Sequence, residues 1–261
     1  MRRTAATILV LLCGAFAAAP AHAQSAAQAA SDGRVDPRKT AKIHFGGIYL
    51  SPALEVRNIG IDTNVFNDLA NPQSDFSATV LPSTKVWIPA TRRALITSDL
   101  SLGFVYFKKF TTERSVDPGA SVRADLYFRR LSFFGEVGTR DSRERPSAEI
   151  DARSRRTEGH SALGLKYQLS SRISAQLSAH RNSIEFDQNE QFFGVGLQRA
   201  LGRTEQGLQL HVTDVLTKRT TFFVQVDQEQ TRFDLSPLRD TDGFRITPGF
   251  TFSPQALLKG S

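Results

Sequence analysis

This sequence is poor in sulfur and in tryptophan: 261 residues contain one cysteine, one methionine and one tryptophan. The cysteine, Cys13, sits in the apolar stretch Ala5–Ala19, which follows Arg2 and Arg3 and runs on to Ala21-His22-Ala23. A positive start, a short apolar segment and an A-x-A close identify residues 1–23 as a secretory signal peptide, with the mature chain expected from Gln24. Leu12 precedes Cys13, where a lipoprotein site would need a small residue. Removal of this segment leaves no thiol, which excludes disulfides, cysteine-ligated zinc and thiol catalysis.

Long hydrophobic runs are also missing. Beyond residue 23 no apolar stretch approaches 18 residues, so no transmembrane helix is expected. Motifs of site chemistry are equally scarce. His44, His160, His180 and His211 form no H-E-x-x-H and no close pair, so a metal site has no support. Gly46-Gly47 and Gly194-Val195-Gly196 are not expected to open a helix, which excludes a phosphate loop. Glycine within a strand marks a bend or a close approach instead. His180 could be matched with some serine or aspartate on paper, but no nucleophile–base motif is present, and neither an enzyme nor a cofactor is expected. The formal charge of +7 falls to +5 once Arg2 and Arg3 are set aside. The basic residues are spread over strands and loops rather than massed on one element, so nucleic acid is not an expected partner.

What the chain does have is period-two alternation. Residues 24–41 are small, polar and aperiodic, a flexible leader. From Lys42 onward the pattern changes. In residues 120–129, Ala120, Val122, Ala124, Leu126 and Phe128 share one face, and Ser121, Arg123, Asp125, Tyr127 and Arg129 the other. The segment after Arg130 repeats this, so the two form a tight hairpin. Such alternation predicts eleven strands, near 46–57, 76–89, 94–109, 118–130, 131–141, 159–169, 172–182, 190–200, 204–213, 219–230 and 243–253. Between them, 141–158 and 231–242 read as long charged loops.

Strands of about ten residues, joined by alternating short turns and long loops, predict an all-β, antiparallel transmembrane β-barrel of about 11–12 visible strands over residues 42–261. The consecutive short connections at 201–203 and 214–218 break that alternation. A soluble β-sandwich or β-helix would show the same period with its apolar face inside. Aromatic residues at the ends of apolar faces (Tyr106, Phe128, Tyr167, Phe222) and charged polar faces favour the barrel. On those polar faces Arg123, Arg129, Arg140, Lys166, Arg199 and Arg245 are candidate lumen-lining residues that would bias passage toward anions. The alternative is that these charges pair across strands as structural ladders.

Two stretches carry a resemblance. One is Gly60-Ile61-Asp62-Thr63-Asn64-Val65-Phe66. The other runs from Leu216 to Phe222, through Arg232-Phe233-Asp234-Leu235-Ser236-Pro237-Leu238-Arg239-Asp240, to Pro248-Gly249-Phe250. Asp62, Asn64 and Phe66, with Arg232, Phe233, Pro237, Arg239 and Asp240, resemble the motifs of the β-barrel porin type 2 family of outer-membrane proteins. The resemblance is loose over 45–261 and closer over 216–261. It implies an outer-membrane location, insertion by the barrel-assembly machinery, lipid as the surrounding partner and a link to surface polysaccharide. It brings no catalytic residues. Family members continue through further strands, whereas Ala256–Ser261 reads as the opening of one, so the barrel is expected to be incomplete at its C-terminal end.

Three functions stay open: a porin-like barrel passing anionic solutes or surface polysaccharide, a non-transporting structural or assembly protein of the envelope, and a soluble periplasmic binding module. Heat-modifiable migration on gels separates them at the first step. The barrel should run faster unheated than boiled, and a protein soluble without detergent as a folded monomer would exclude it.

Overall fold

Alternation puts every second side chain on the same side of a strand, and a strand is stable only when its backbone groups find a neighbour. The computed structural model describes residues 36–252 except 67, 69, 147–152 and 193. The expected signal peptide, most of the expected leader and the last nine residues lie outside the described residues. A helical turn, Pro37–Thr40, falls at the boundary between two units, Met1–Lys39 and Thr40–Ser261. The sheet belongs to the second.

That sheet is an antiparallel meander. A short β1 (Ile43–Phe45) leads into β2 (Ile48–Asp62), β3 (Asp75–Pro89), β4 (Ala94–Phe107), β5 (Ser115–Tyr127), β6 (Leu131–Glu144), β7 (Ser154–Gln168) and β8 (Ile173–Phe186). A two-stranded hairpin, β9 (Gln191–Phe192) with β10 (Val195–Gly196), stands apart. The sheet resumes with β11 (Arg203–Thr217), β12 (Thr220–Phe233) and β13 (Thr241–Phe252). Its order is β1-β2-β3-β4-β5-β6-β7-β8-β11-β12-β13, with each strand beside its neighbour in the chain or across the hairpin insertion. Among the described residues β1 and β13 do not pair with each other, so the sheet is open.

The two faces are inverted relative to a soluble protein. The outward face is apolar: Val137 is 61% exposed, Leu163 66% and Phe244 70%. The inward face is polar and sheltered, with Asp125 at 9%, Asp227 at 7% and Gln176 at 5%. A sandwich or soluble module would bury the first set and wet the second. Arg57 of β2 reaches Glu144 of β6 at 3.3 Å although β3, β4 and β5 lie between them. The sheet therefore curls about its polar side, as a barrel wall does.

Strand ends segregate by length. Residues 46–47, 90–93, 128–130, 169–172 and 218–219 make short turns at one end, and the strands are separated by the longer intervals 63–74, 108–114, 145–153, 187–202 and 234–240 at the other. This corrects two expectations. The strand expected at 190–200 does not exist. Gly194 takes φ +77° and Leu197–Leu201 closes into a helical turn with Leu197 fully buried, so these residues form the β8–β11 connection. That connection is long, which restores the alternation. A helix does follow Gly196, but it spans only five residues.

The second correction concerns length. β6 and β7 pair from Leu131↔Tyr167 to Glu144↔Ser154, so both ends of the loop expected at 141–158 are strand. The same holds at 231–242, where β12 runs to Phe233 and β13 starts at Thr241. The long strands have 12 to 15 residues, about 40–50 Å at the usual rise. That exceeds what a tilted strand needs to cross a bilayer. On β6, β7 and β8 the outward residues are apolar near the turns (Phe133, Leu163, Leu177) and polar near the loops (Asp141, Thr157, Arg181). Pairing simply continues past the apolar belt, where Thr157 donates to Asp141 at 2.8 Å.

One irregularity shapes β2. Asn58 takes φ +54°, and the β2–β3 register slips between Arg57 and Gly60, a bulge that bends the strand near its loop end. We expect Leu163→Arg, in the middle of the outward belt, to destabilise the folded protein in vesicles by about 2–4 kcal/mol, against about 0–1 kcal/mol for Thr139→Arg above the belt. Urea titration read by heat-modifiable migration measures both, and equal effects would contradict the depth assignment.

Candidate functional site

The inward face is a set of cross-strand ladders made by alternation and register together. Arg123 of β5 stands opposite Glu136 of β6. Its guanidinium donates to Asp125 at 3.0 Å and to Glu136 at 3.2 Å, and lies 4.1 Å from the centroid of the Phe134 ring. His160 Nε2 is 3.3 Å from Glu136. Similar pairs recur along the strands: Arg156 with Glu158 at 2.6 Å, Arg203 with Glu205 at 2.7 Å and Lys85 with Asp99 at 3.3 Å. Gln209 and Gln225 both donate to Asp227 at 2.9 Å. Arg123–Glu136, Lys85–Asp99 and Gln209–Asp227 stand directly opposite on neighbouring strands, where such pairs stabilise a sheet, whereas Arg156–Glu158 and Arg203–Glu205 join alternate residues of one strand.

Glycines on this face make room for rings. Gly164 is opposite Phe134, Gly249 opposite Phe223 and Gly207 opposite His180. A β-carbon at Gly164 would fall 2.5 Å from Phe134 Cε1, and one at Gly249 2.4 Å from Phe223 Cζ. Each ring therefore lies flat over the glycine it faces, covering backbone that has no side chain of its own.

A second cluster gathers at the loop end. Glu113, in a helical turn between β4 and β5, is buried and paired with Arg143 at 3.1 Å and Arg153 at 3.5 Å. Arg153 also lies over the buried Phe107 ring at 4.9 Å. Burial pushes the Arg153 guanidinium below its ordinary value, with Glu113 acting in the opposite direction. Arg145 reaches Asp62 at 3.4 Å and the Val65 carbonyl at 3.2 Å. Glu144 takes both Arg57 and Arg140, at 3.3 and 3.2 Å. Val65, Glu113, Arg145 and Arg153, described residues of three different connections, are thus drawn together at the loop end of β2–β6.

The candidate lumen residues divide. Arg123, Arg140, Lys166 and Arg245 occupy the inward face, the last opposite Asp227. Arg129 does not: it is exposed in the β5–β6 turn, because the strand ends at Tyr127. Arg199 sits in the helical turn of the β8–β11 connection, and its carbonyl accepts a hydrogen bond from Ser236 Oγ at 2.9 Å. The strand expected to carry Arg129 ends three residues earlier than expected, and the strand expected to carry Arg199 is absent.

The family-like motifs tie loops. Asp62 accepts from the Asn64 amide at 3.0 Å, Asn64 exchanges hydrogen bonds with the Asp68 backbone, and Phe66 meets Phe110 edge-on at 4.8 Å. In the other motif Asp240 accepts from the Phe233 amide at 2.8 Å, Arg232 donates to Asp242 at 2.6 Å, and Arg239 stacks on Phe233 at 4.3 Å while donating to the Ala200 carbonyl. Pro237 opens the helical turn Pro237–Arg239. Sequence reasoning missed Glu113, Arg143, Arg145 and Arg153 as a group. Their partners are 30 to 83 residues away, and no local pattern joins them. A glutamate flanked by polar residues in a short connection was the one available hint.

The profile of the family described as Putative beta-barrel porin 2 matches residues 36–261. No curated protein matches the chain. Among solved structures, the outer membrane channel DcaP of Acinetobacter baumannii aligns over 78% of this chain with a TM-score of 0.54 at 9% identity, a likeness of fold. The chain covers 61% of that channel's length.

The Phe134–Gly164 contact generates a test. Gly164→Val should push the ring away and unseat Arg123, costing roughly 1–3 kcal/mol. The double variant with Phe134→Leu should recover part of the loss. A wild-type urea midpoint for the single variant would show that the ring contact contributes nothing.

Proposed function

The chain belongs to the Putative beta-barrel porin 2 family, and from that membership we propose that it builds the wall of an outer-membrane channel for small hydrophilic solutes. The observation that carries this reading is the inverted sheet: an outward apolar face, and an inward face of charged and amide side chains. Apolar side chains outward suit acyl chains, and a charged interior suits water. Long loops would face outside and short turns the periplasm.

The solute class is a finer matter. Anionic solutes, acidic surface polysaccharide among them, are supported by Lys166 and Arg245, which meet no carboxylate at ion-pair distance among the described residues. Against a strong preference, Arg57, Arg123, Arg140, Arg156 and Arg203 are each held by carboxylates. Glu55 and Glu229 face inward as well. A wall of matched pairs carries little net field, so selectivity along it should be weak.

Single-channel recording in planar bilayers tests both parts. Protein with heat-modifiable migration should conduct, with a chloride-to-potassium permeability ratio within about 0.5–2. Absence of conductance from such protein would remove the channel. A ratio far outside that interval would remove the balanced wall and leave the channel.

A further inference from the structure

The short turns carry charge of one sign. Arg92 and Arg93, Arg129 and Arg130, Arg172, and Lys218 and Arg219 occupy the four turns between β3 and β12, and all are exposed. None of the short turns contains an aspartate or glutamate. The loops at the opposite end mix both signs, as Glu113 with Arg114 and Glu190 with Arg199 illustrate. The acids closest to these turns in sequence are Asp125, which Arg123 engages, and Asp214, which stands opposite Ile173 and Phe222 in the sheet.

Three of these turns are fastened to the next strand through their arginines. The carbonyl of Arg93 accepts from the Tyr127 amide at 2.7 Å, that of Arg130 from Gln168 at 2.7 Å, and that of Arg172 from Val215 at 3.0 Å. The basic residues therefore follow one sheet edge as a row, one turn every two strands, about 10 Å apart. Beside them the outward face ends in Phe128, Tyr167 and Phe222, with Phe222 packed on Phe250 at 5.2 Å. Aromatic rings at the limit of an apolar belt mark the height where acyl chains meet headgroups. The row of cations stands at that height.

We propose that this row is a basic collar that binds the phosphate headgroups of anionic phospholipid in the leaflet the turns meet. The inference rests on the membrane-barrel reading above. Guanidinium groups match phosphate in a paired donor geometry, and each basic side chain near an anionic surface adds attraction. The collar would orient the barrel by charge at its turn end, while the apolar belt sets its depth.

The full chain, refolded into vesicles of four parts phosphatidylcholine to one part phosphatidylglycerol, provides the test. Spin-labelled phosphatidylglycerol and phosphatidylcholine report which lipid is held at the protein surface. The wild type should hold phosphatidylglycerol at least ~3-fold over phosphatidylcholine at low salt, and lose most of that preference at ~0.5 M NaCl. A variant with all seven residues changed to Gln should show no preference while keeping heat-modifiable migration. Equal retention of both lipids by folded wild type, or an undiminished preference in the variant, would overturn the collar and leave the barrel standing. Loss of the preference to millimolar inorganic phosphate at constant ionic strength would assign the row to soluble anions instead and overturn the lipid assignment. Wild type that lacks heat-modifiable migration in these vesicles would overturn the barrel reading and the collar together.

Discussion

Every amide inside a hydrocarbon layer must find its partner within the protein, because no water is there to accept or donate. In this chain an unbroken succession of antiparallel ladders, from the β2–β3 pair to the β12–β13 pair, meets it for the strands inside the sheet, while β13 and most of β2 keep one edge unpaired among the described residues. The faces follow from it. Once the backbone is paired edge to edge, side chains can only point to the lipid or to the inside, and alternation decides which. The apolar set points out and the charged set points in.

The inward face then has its own problem, since crowded charges on a curled sheet need partners. Register supplies them. Arg123 lies between Asp125 and Glu136, and Phe134 fills the space beneath its guanidinium. Glycine at 164 lets that ring lie flat. Such a ladder stiffens the wall and at the same time cancels much of its field. Charge of one sign gathers instead at the turn edge, outside the wall.

The loop end works differently. Glu113, Arg143, Arg145 and Arg153 join three loops by ion pairs that ignore strand order. The residues shared with the family's motifs act in the same way. Asp62 and Asn64 fold one loop, and Arg232, Arg239 and Asp240 hold another.

Sequence by itself determined the strands and their faces. Period two over 120–129 has one solution, and ten of the eleven expected strands are present in the sheet. It failed at 190–200, where alternation over a few residues is also compatible with a hairpin and a helical turn, and where the left-handed backbone at Gly194 and the burial of Leu197 chose the latter. It also placed strand ends too early, because charged residues such as Asp141 and Arg156 read as loop although their backbones stay paired. Only tertiary structure decided what reaches Arg57, Glu113 and Arg145, and that Arg129 and Arg199 leave the inward face. The first three outcomes depend on curvature, which brings together residues tens of positions apart and leaves no period in a sequence, and the last two on where β5 ends and on the helical turn that replaces a strand at 197–201.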